Sequence, residues 1–271
     1  MSTPEWLDAV PAGWAIAPLY ARYEVQLGKM LDTARFTGTS PRPYLRNTDV
    51  QWDSINVADL PLMDFDIRDR LKFSLRPGDL LVCEGGEIGR TAIWTGQLEE
   101  CYFQKAIHRL RPRCSTECPR YLYYALRAAA EYGLFAADAN PNTIPHLTAE
   151  KLRRHRFPFP LAAEQRAIAD FLDHETSRVD ELIACKVKLK ARVTERFDAT
   201  VDHAVTEGLT GADLIPTGDT RMPRLPIGWT LNKLKHVGRI RYGLGEPPRT
   251  EAQGLPLVRA TNIKLGAPTS R

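Results

Sequence analysis

The 271-residue sequence predicts an α+β chain in three parts. A mixed α/β domain over residues 1–160 is followed by a long coiled-coil-forming helix over 161–208, then by a linker and the start of a second domain over 209–271. Three observations carry this reading. Short β-rich runs recur between Gly, Pro and Asp punctuation in the first 160 residues. Residues 161–205 contain neither glycine nor proline. Beyond them the chain repeats the pattern of its own beginning.

In the first domain the β-rich runs are 16–19, 44–50, 80–84, 91–94 and 106–111. Arg76-Pro77-Gly78-Asp79 is a turn, because proline presets φ and glycine tolerates positive φ. Glu84-Gly85-Gly86-Glu87-Ile88-Gly89 is a tight connection between two strands; it matches neither a dinucleotide fingerprint nor a P-loop. A helix is expected over 119–132, with Tyr121, Leu122, Ala125, Leu126 and Ala129 as its apolar stripe. Asn140-Pro141-Asn142 makes a loop, and Thr148-x-x-Lys151 opens another short helix.

In the glycine- and proline-free stretch, apolar residues fall at Ile168, Leu172, Val179, Leu182, Ile183, Leu189, Val193, Phe197, Val201 and Val205. Most are three, four or seven apart, the spacing of a helix with an approximate heptad seam. Such a helix would extend roughly 60–70 Å at 1.5 Å per residue, and Gly208 supplies its stop. An apolar stripe of this length needs a partner helix.

After a Gly-, Thr-, Asp- and Pro-rich linker over 210–224, Val10-Pro11-Ala12-Gly13-Trp14 is echoed by Leu225-Pro226-Ile227-Gly228-Trp229. Leu19 is echoed by Leu234 and Gly28 by Gly243, all at an offset of 215. Pro43-Tyr44-Leu45-Arg46-Asn47-Thr48-Asp49-Val50 aligns with Pro256-Leu257-Val258-Arg259-Ala260-Thr261-Asn262-Ile263 at an offset of 213, a two-residue indel away. The period far exceeds that of a solenoid, so this is a domain repeat.

Composition narrows the function classes. Net charge is only +4, too mild for an electrostatic DNA wrapper. The positive residues are nonetheless clustered: Lys105, Arg109, Arg111, Arg113, Arg120 and Arg127 in one stretch, Lys151, Arg153, Arg154, His155 and Arg156 in another. Such clusters either contact phosphates or form a solvated surface. His155, His174 and His203 have no acid or nucleophile partner and read as surface or interface residues. Five scattered cysteines fit free thiols, with no metal site and no disulfide framework. No membrane span or export signal is recognised, so a cytoplasmic protein is expected. Methyltransferase Asn/Asp-Pro-Pro-Tyr/Phe, Walker A, His-Glu-x-x-His and Gly-x-Ser-x-Gly motifs are absent, so no catalytic residue is expected.

The order of domain, long helix and second domain start resembles the specificity subunit of type I restriction–modification systems. Phe159-Pro160-Leu161-Ala162-Ala163-Glu164-Gln165-Arg166-Ala167-Ile168-Ala169-Asp170-Phe171-Leu172-Asp173 looks like the opening of that family's spacer helix. Asp202-His203-Ala204-Val205-Thr206-Glu207-Gly208-Leu209 looks like its ending. Pro-x-Gly-Trp at Pro11–Trp14 and Pro226–Trp229 resembles the start of each target recognition domain, as does Gly78-Asp79-Leu80-Leu81-Val82 followed by Gly85 to Gly89. The chain departs from the family in reading Pro160-Leu161-Ala162-Ala163-Glu164-Gln165 where Pro-Pro-Leu-x-Glu-Gln is usual, and in carrying one complete domain-and-helix set where a full subunit has two.

The resemblance implies a non-catalytic protein that binds double-stranded DNA at a split site, with its helices as the ruler between half-sites. It implies methyltransferase and restriction/translocase subunits as partners. S-adenosylmethionine would sit on the former and ATP with Mg on the latter, with no cofactor in this chain. A single set implies a homodimer, or pairing with another specificity fragment. The alternatives are a non-functional remnant, or the recognition fragment of a larger methyltransferase or nuclease.

Reading base edges calls for Arg or Lys opposite guanine and Asn or Gln opposite adenine. The DNA-binding residues expected on this ground are Arg35, Arg42, Arg46 and Asn47 around a Gly/Pro-rich loop, Gln104 and Lys105 beside Tyr102 and Phe103, and Asn142, Thr143 and His146 before the spacer helix. Each could equally serve a turn or a surface hydrogen bond. Arg46, shared with its repeat partner Arg259, points to a structural role. Trp14 and Trp229 read as core anchors. For partner binding the expected residues are Glu164, Gln165, Ile168, Leu172, Val179, Leu182, Leu189 and Val193, with helix capping as the other reading of Glu164 and Gln165.

Overall fold

The strand Leu80–Cys83 is buried at every residue, and both of its faces are apolar. It is β7 of a computed structural model that describes residues 10–30, 36–137, 146–209 and 211–243. Arg35, Asn142, Thr143 and the repeat partner Arg259 lie outside the described residues. Among the described residues β7 joins β2 (Tyr23–Leu27), β8 (Thr91–Ile93) and β10 (Ile107–Pro112) in an antiparallel sheet of order β2-β10-β7-β8. Strand residues alternate sides. Leu80 and Val82, with Leu110 of β10, therefore join one core, and Leu81 and Cys83, with Ile107, join a second.

The first core is closed by the helix α3 (Pro119–Glu131), which buries Tyr121, Leu122, Leu126 and Ala129. Pro119 suits the helix start, where its missing N–H has no intrahelical partner. The short helices α4 (Leu134–Ala137) and α5 (Ala149–Arg154) complete this side, Thr148 capping α5 by accepting from the Lys151 N–H. So does the pair of β1 (Ala15–Pro18) with β11 (Arg156–Phe159), joined to β2 through the one-turn helix α1 (Leu19–Arg22). The second core lies under β3 (Pro41–Leu45), β6 (Leu62–Asp64) and β9 (Tyr102–Phe103), with the hairpin of β4 (Val50–Gln51) and β5 (Ser54–Ile55) and the helix α2 (Ile67–Phe73). Asp66 caps α2 by accepting from the Arg68 and Asp69 N–H groups, both at 2.8 Å.

Several readings of single residues are corrected. Arg109 is not a phosphate contact: it is buried, donating to the Lys72 and Ser74 carbonyls and to Glu24 at 2.8–3.0 Å. Arg111 grips buried Asp79 through two 2.7 Å bonds. Arg113 donates to the Tyr20 carbonyl, Arg120 to Asp53 and Asp173, and Arg127 to Glu131. His155, expected at the surface, is buried with its ring edge-on to Phe135. Short strands such as β2, β6 and β11 escaped the pattern reading because each pairs at a sheet edge or carries proline.

The long helix α6 runs Ala162–Thr206, within two residues of the expected 161–208, and Gly208 follows it at φ +77°. The chain falls into two compact units, Met1–Lys186 and Val187–Arg271, which divide inside this helix. In the second unit β12 (Leu214–Pro216) pairs with β13 (Arg224–Pro226), where a linker was expected. The repeat has the same local geometry in both copies. Trp14 and Trp229 each donate their N–H to the carbonyl of the proline three residues before, at 3.2 and 3.0 Å. Gly13 and Gly228 hold φ +97° and +91°. The helix α7 (Leu234–Val237) repeats α1 at the same offset of 215, though Leu19 is buried and Leu234 exposed.

Two outcomes follow. A Cβ on Gly28 would lie 2.2 Å from the Gln104 carbonyl oxygen, where backbone cannot yield. Gly28→Ala should lose about 1–3 kcal/mol or more in urea unfolding. Gly13→Ala, with nothing within 4 Å, should lose only the positive-φ cost of about 1–2 kcal/mol. Burial pushes the His108 imidazole down to about 4 from the ordinary 6.5. The unfolded chain therefore binds a proton that the folded chain refuses between those values. Stability should fall on acidification from pH 6.5 towards 4, at up to about 1.4 kcal/mol per pH unit. Urea unfolding of His108→Gln at pH 7 and 5.5 should show that part of the slope removed.

Candidate nucleic-acid interface

Backbone hydrogen bonds gather three loops at one end of the central sheet. The tight turn from β9 to β10 closes through the Ile107 N–H and the Gln104 carbonyl at 3.0 Å. It is fastened to β3 by the Gln104 N–H on the Leu45 carbonyl, and to the residue after β7 by the Glu84 N–H on the Ala106 carbonyl. The segment after β2 crosses the same turn: Lys29 donates to the Phe103 carbonyl, and Lys105 donates to the Lys29 carbonyl. This crossing is why Gly28 has no room for a side chain.

The third loop ends at His146. Leu147 next to it donates its N–H to the Glu84 carbonyl at 2.8 Å, and its own carbonyl accepts from His108 Nε2 at 2.6 Å. Buried His108 thus seats the His146 loop against the connection from β7 to β8. A Cβ on Gly85 would lie 3.2 Å from His146 Nδ1, so the glycine lets the imidazole approach. From the other side Asn47, opening a 3-10 turn after β3, donates its amide to the Gly85 carbonyl at 2.9 Å.

Asn47, Gln104, Lys105 and His146, far apart in sequence, therefore share one end of the domain. Lys105 and His146 are exposed there, and Asn47 and Gln104 are half-buried. Arg46 is beside them, but its guanidinium and its backbone N–H are spent on Asp49 at 2.7–2.9 Å, which holds the 3-10 turn. Arg42, at the start of β3, pairs with Glu100 at 2.8 Å and is not part of the group. The arrangement offers amide, ammonium and imidazole groups on short loops, with hydrogen bonding as its chemistry.

Of two residues absent from the sequence-based set, one supports this surface and the other orders the opposite end of β3. Arg90 donates to the Asn47 carbonyl at 3.0 Å. Asp64 gathers the loop before β3, accepting from the N–H groups of Thr37, Gly38 and Ser40 and from the Thr37 hydroxyl at 2.6–2.9 Å. These bonds, the Ser40 N–H first, hold its carboxyl below the usual range. A lone Asp in an apolar strand gave no local signal of this role.

The residues expected to bind partners divide along α6. Gln165 is corrected: it is buried, accepting from the Cys118 N–H and donating to the Pro160 carbonyl, both at 3.0 Å, so it locks the helix onto its own domain. Glu164 accepts from the half-buried Trp14 indole at 3.1 Å, and Ile168 packs against the first core. Leu172 is half-buried. Val179, Leu182, Leu189 and Val193 are 53–61% exposed, as an uncovered apolar stripe would be.

The comparisons agree with this architecture. The family described as type I restriction modification DNA specificity domain matches residues 26–194, more than half of the chain. The type I restriction enzyme EcoBI specificity subunit of Escherichia coli is 28% identical over 202 residues, covering 70% of this chain and 41% of that protein. This chain thus spans about two-fifths of that relative's length. Two solved structures share the fold at 21% identity. One, described as the structural basis underlying complex assembly and conformational transition of the type I R-M system, has a TM-score of 0.58 over 74% of this chain and 48% of its own. The other, the HsdS subunit from Thermoanaerobacter tengcongensis, has a TM-score of 0.53 over 72% and 45%. With the match running from within β2 to Thr194, well along α6, the chain belongs to the type I restriction modification DNA specificity domain family.

Proposed function

We propose that this chain is a non-catalytic specificity subunit that reads one half of a split site in double-stranded DNA. The observation that carries the reading is the convergence of Asn47, Gln104, Lys105 and His146 at one end of a domain of this family. Gln104 has the amide chemistry that pairs with adenine, Lys105 serves guanine or phosphate, and Asn47 reads a base only by releasing the Gly85 carbonyl. On sequence alone Arg35, Asn142 and Thr143 are proposed as further DNA contacts. Arg42 and Arg46 reach DNA only by exchanging their carboxylates for phosphate.

The exposed stripe of α6 supports assembly. Two copies, or one copy and another specificity fragment, pair through residues 161–205 and place two recognition domains on one split site, palindromic in the homodimer. Glu164 and the remaining helix surface dock methyltransferase subunits, which carry S-adenosylmethionine. Restriction/translocase subunits, carrying ATP and Mg, join that cytoplasmic complex. Among the described residues no helix is long and apolar enough to cross a membrane, and no catalytic role is assigned to any residue here.

Lys105→Ala should weaken DNA binding about equally across sequences and reduce the salt slope by about one. Gln104→Ala should relax the preference at one base position, with a penalty for the wrong base that drops by about 1–3 kcal/mol. Fluorescence anisotropy over a panel of single-base variants separates the two, and unchanged binding by both variants would remove this surface from the site. Light scattering should give a mass of two copies for the full chain. Leu182→Glu with Leu189→Glu should return it to one copy, while a monomeric parent chain would refute the homodimer.

A further inference from the structure

The helix α6 is held by its domain over a short base. Gln165 and Ala169 are its only buried residues among those described, with Ile168 packed beside them. Apolar contact this small locates the helix without fixing its direction. Past Ala169 the direction is held by one polar cluster. Arg120 on α3 donates through Nε to Asp173 at 2.6 Å and grips both carboxylate oxygens of Asp53 with its two terminal nitrogens. The Tyr124 hydroxyl donates to the same Asp173 oxygen at 2.6 Å and meets the Thr176 hydroxyl at 3.3 Å. Among the described residues, Asp173 and Thr176 are the last α6 side chains bonded to another element.

The guanidinium is itself oriented. It lies 4.6 Å from the Tyr123 ring centroid and 5.0 Å from that of Tyr124. Asp53 sits at the tip of the β4–β5 hairpin at φ +56°, a left-handed conformation unfavourable for a residue with a Cβ. Its N–H is tied to the Thr91 carbonyl of β8 at 3.1 Å. A strained residue that presents its carboxylate to a planar fork on a helix, itself in contact with a second helix, fixes an angle among three elements.

We infer that Arg120, clamped between Asp53 and Asp173, is a positioning residue that sets the direction in which α6 leaves the recognition domain, and so the half-site spacing the protein accepts. The inference rests on the proposed reading of a split site. The magnitudes favour it. Some 30 residues of helix beyond Thr176 make an arm of roughly 45 Å, so a 10° tilt at the base moves its end by roughly 8 Å, more than two base-pair steps of about 3.4 Å. None of these three residues is assigned to base reading, so spacing and half-site sequence are separable.

The test is selection of a randomised duplex library of about 40 base pairs by the full chain, followed by sequencing. Wild type is expected to return two half-sites at a single spacing. Arg120→Ala and Asp173→Asn should return the same half-site sequence over three or more spacer lengths. Arg120→Lys, which keeps the charge and loses the two-sided fork, should behave like Arg120→Ala. Recovery of the half-site sequence itself shows that a variant is folded, and Asp173→Asn serves where Arg120→Ala does not fold. An unchanged single spacing, or equal loss at every spacing, would overturn the positioning role. A wild-type chain that selects no two-part site would instead overturn the underlying reading of function.

Discussion

A strand that is apolar on both sides has to be covered twice. In β7, Leu80 and Val82 point to one core while Leu81 and Cys83 point to the other, and neither face can be left to water without losing roughly 1.5–3 kcal/mol per large side chain. One layer comes from α3 and the β1–β11 pair, the other from the small sheet of β6, β3 and β9. Because β9 returns directly into β10, the second layer is joined to the central sheet by a three-residue turn. That turn lies at the same end as the connection from β7 to β8. The convergence of Asn47, Gln104, Lys105 and His146 is thus a by-product of how two cores are closed.

The arginines show how the same constraint spends charge. Arg109 and Arg111 alternate along β10 with His108 and Leu110, and strand geometry leaves Arg109 buried and Arg111 half-buried whatever their polarity. Burying a guanidinium is tolerable only with its donors occupied. Carbonyls of Lys72 and Ser74, Glu24 and buried Asp79 do this. Of a cluster that the sequence leaves as either phosphate-contacting or solvated, Arg109 and Arg111 are therefore internal scaffolding. What remains at the end of the sheet is a smaller set of neutral and singly charged donors, suited to distinguishing bases more than to general attraction.

The helix α6 carries the opposite economy. Its base is locked by Gln165, Ala169 and the Arg120 cluster, whereas Val179, Leu182, Leu189 and Val193 remain in solvent. A stripe of that length supports association, and the base ties the start of the helix to its domain. In the proposed split-site reading, a connector between two recognition domains needs both properties, since a soft base would let each domain find its half-site independently.

By itself the sequence determined the long helix almost to the residue, because a 3.6-residue apolar period without glycine or proline admits no other regular structure. It also determined the repeat, whose Pro-x-Gly-Trp turns recur with matching geometry, and the strands β7, β8 and β10, whose apolar runs are bounded by turn residues. Loop residues of the interface were legible as chemical types, since Asn, Gln, Lys and His are what base edges require. Only the tertiary structure decided which of them meet. Arg42 and Arg46, plausible as readers, are taken by Glu100 and Asp49, while Gln165, plausible as a docking residue, is turned inward. Nothing in the sequence links Arg120 to Asp53 and Asp173. Their relation is made by three elements brought side by side, and spacing along a chain records nothing of contacts 67 and 53 residues apart.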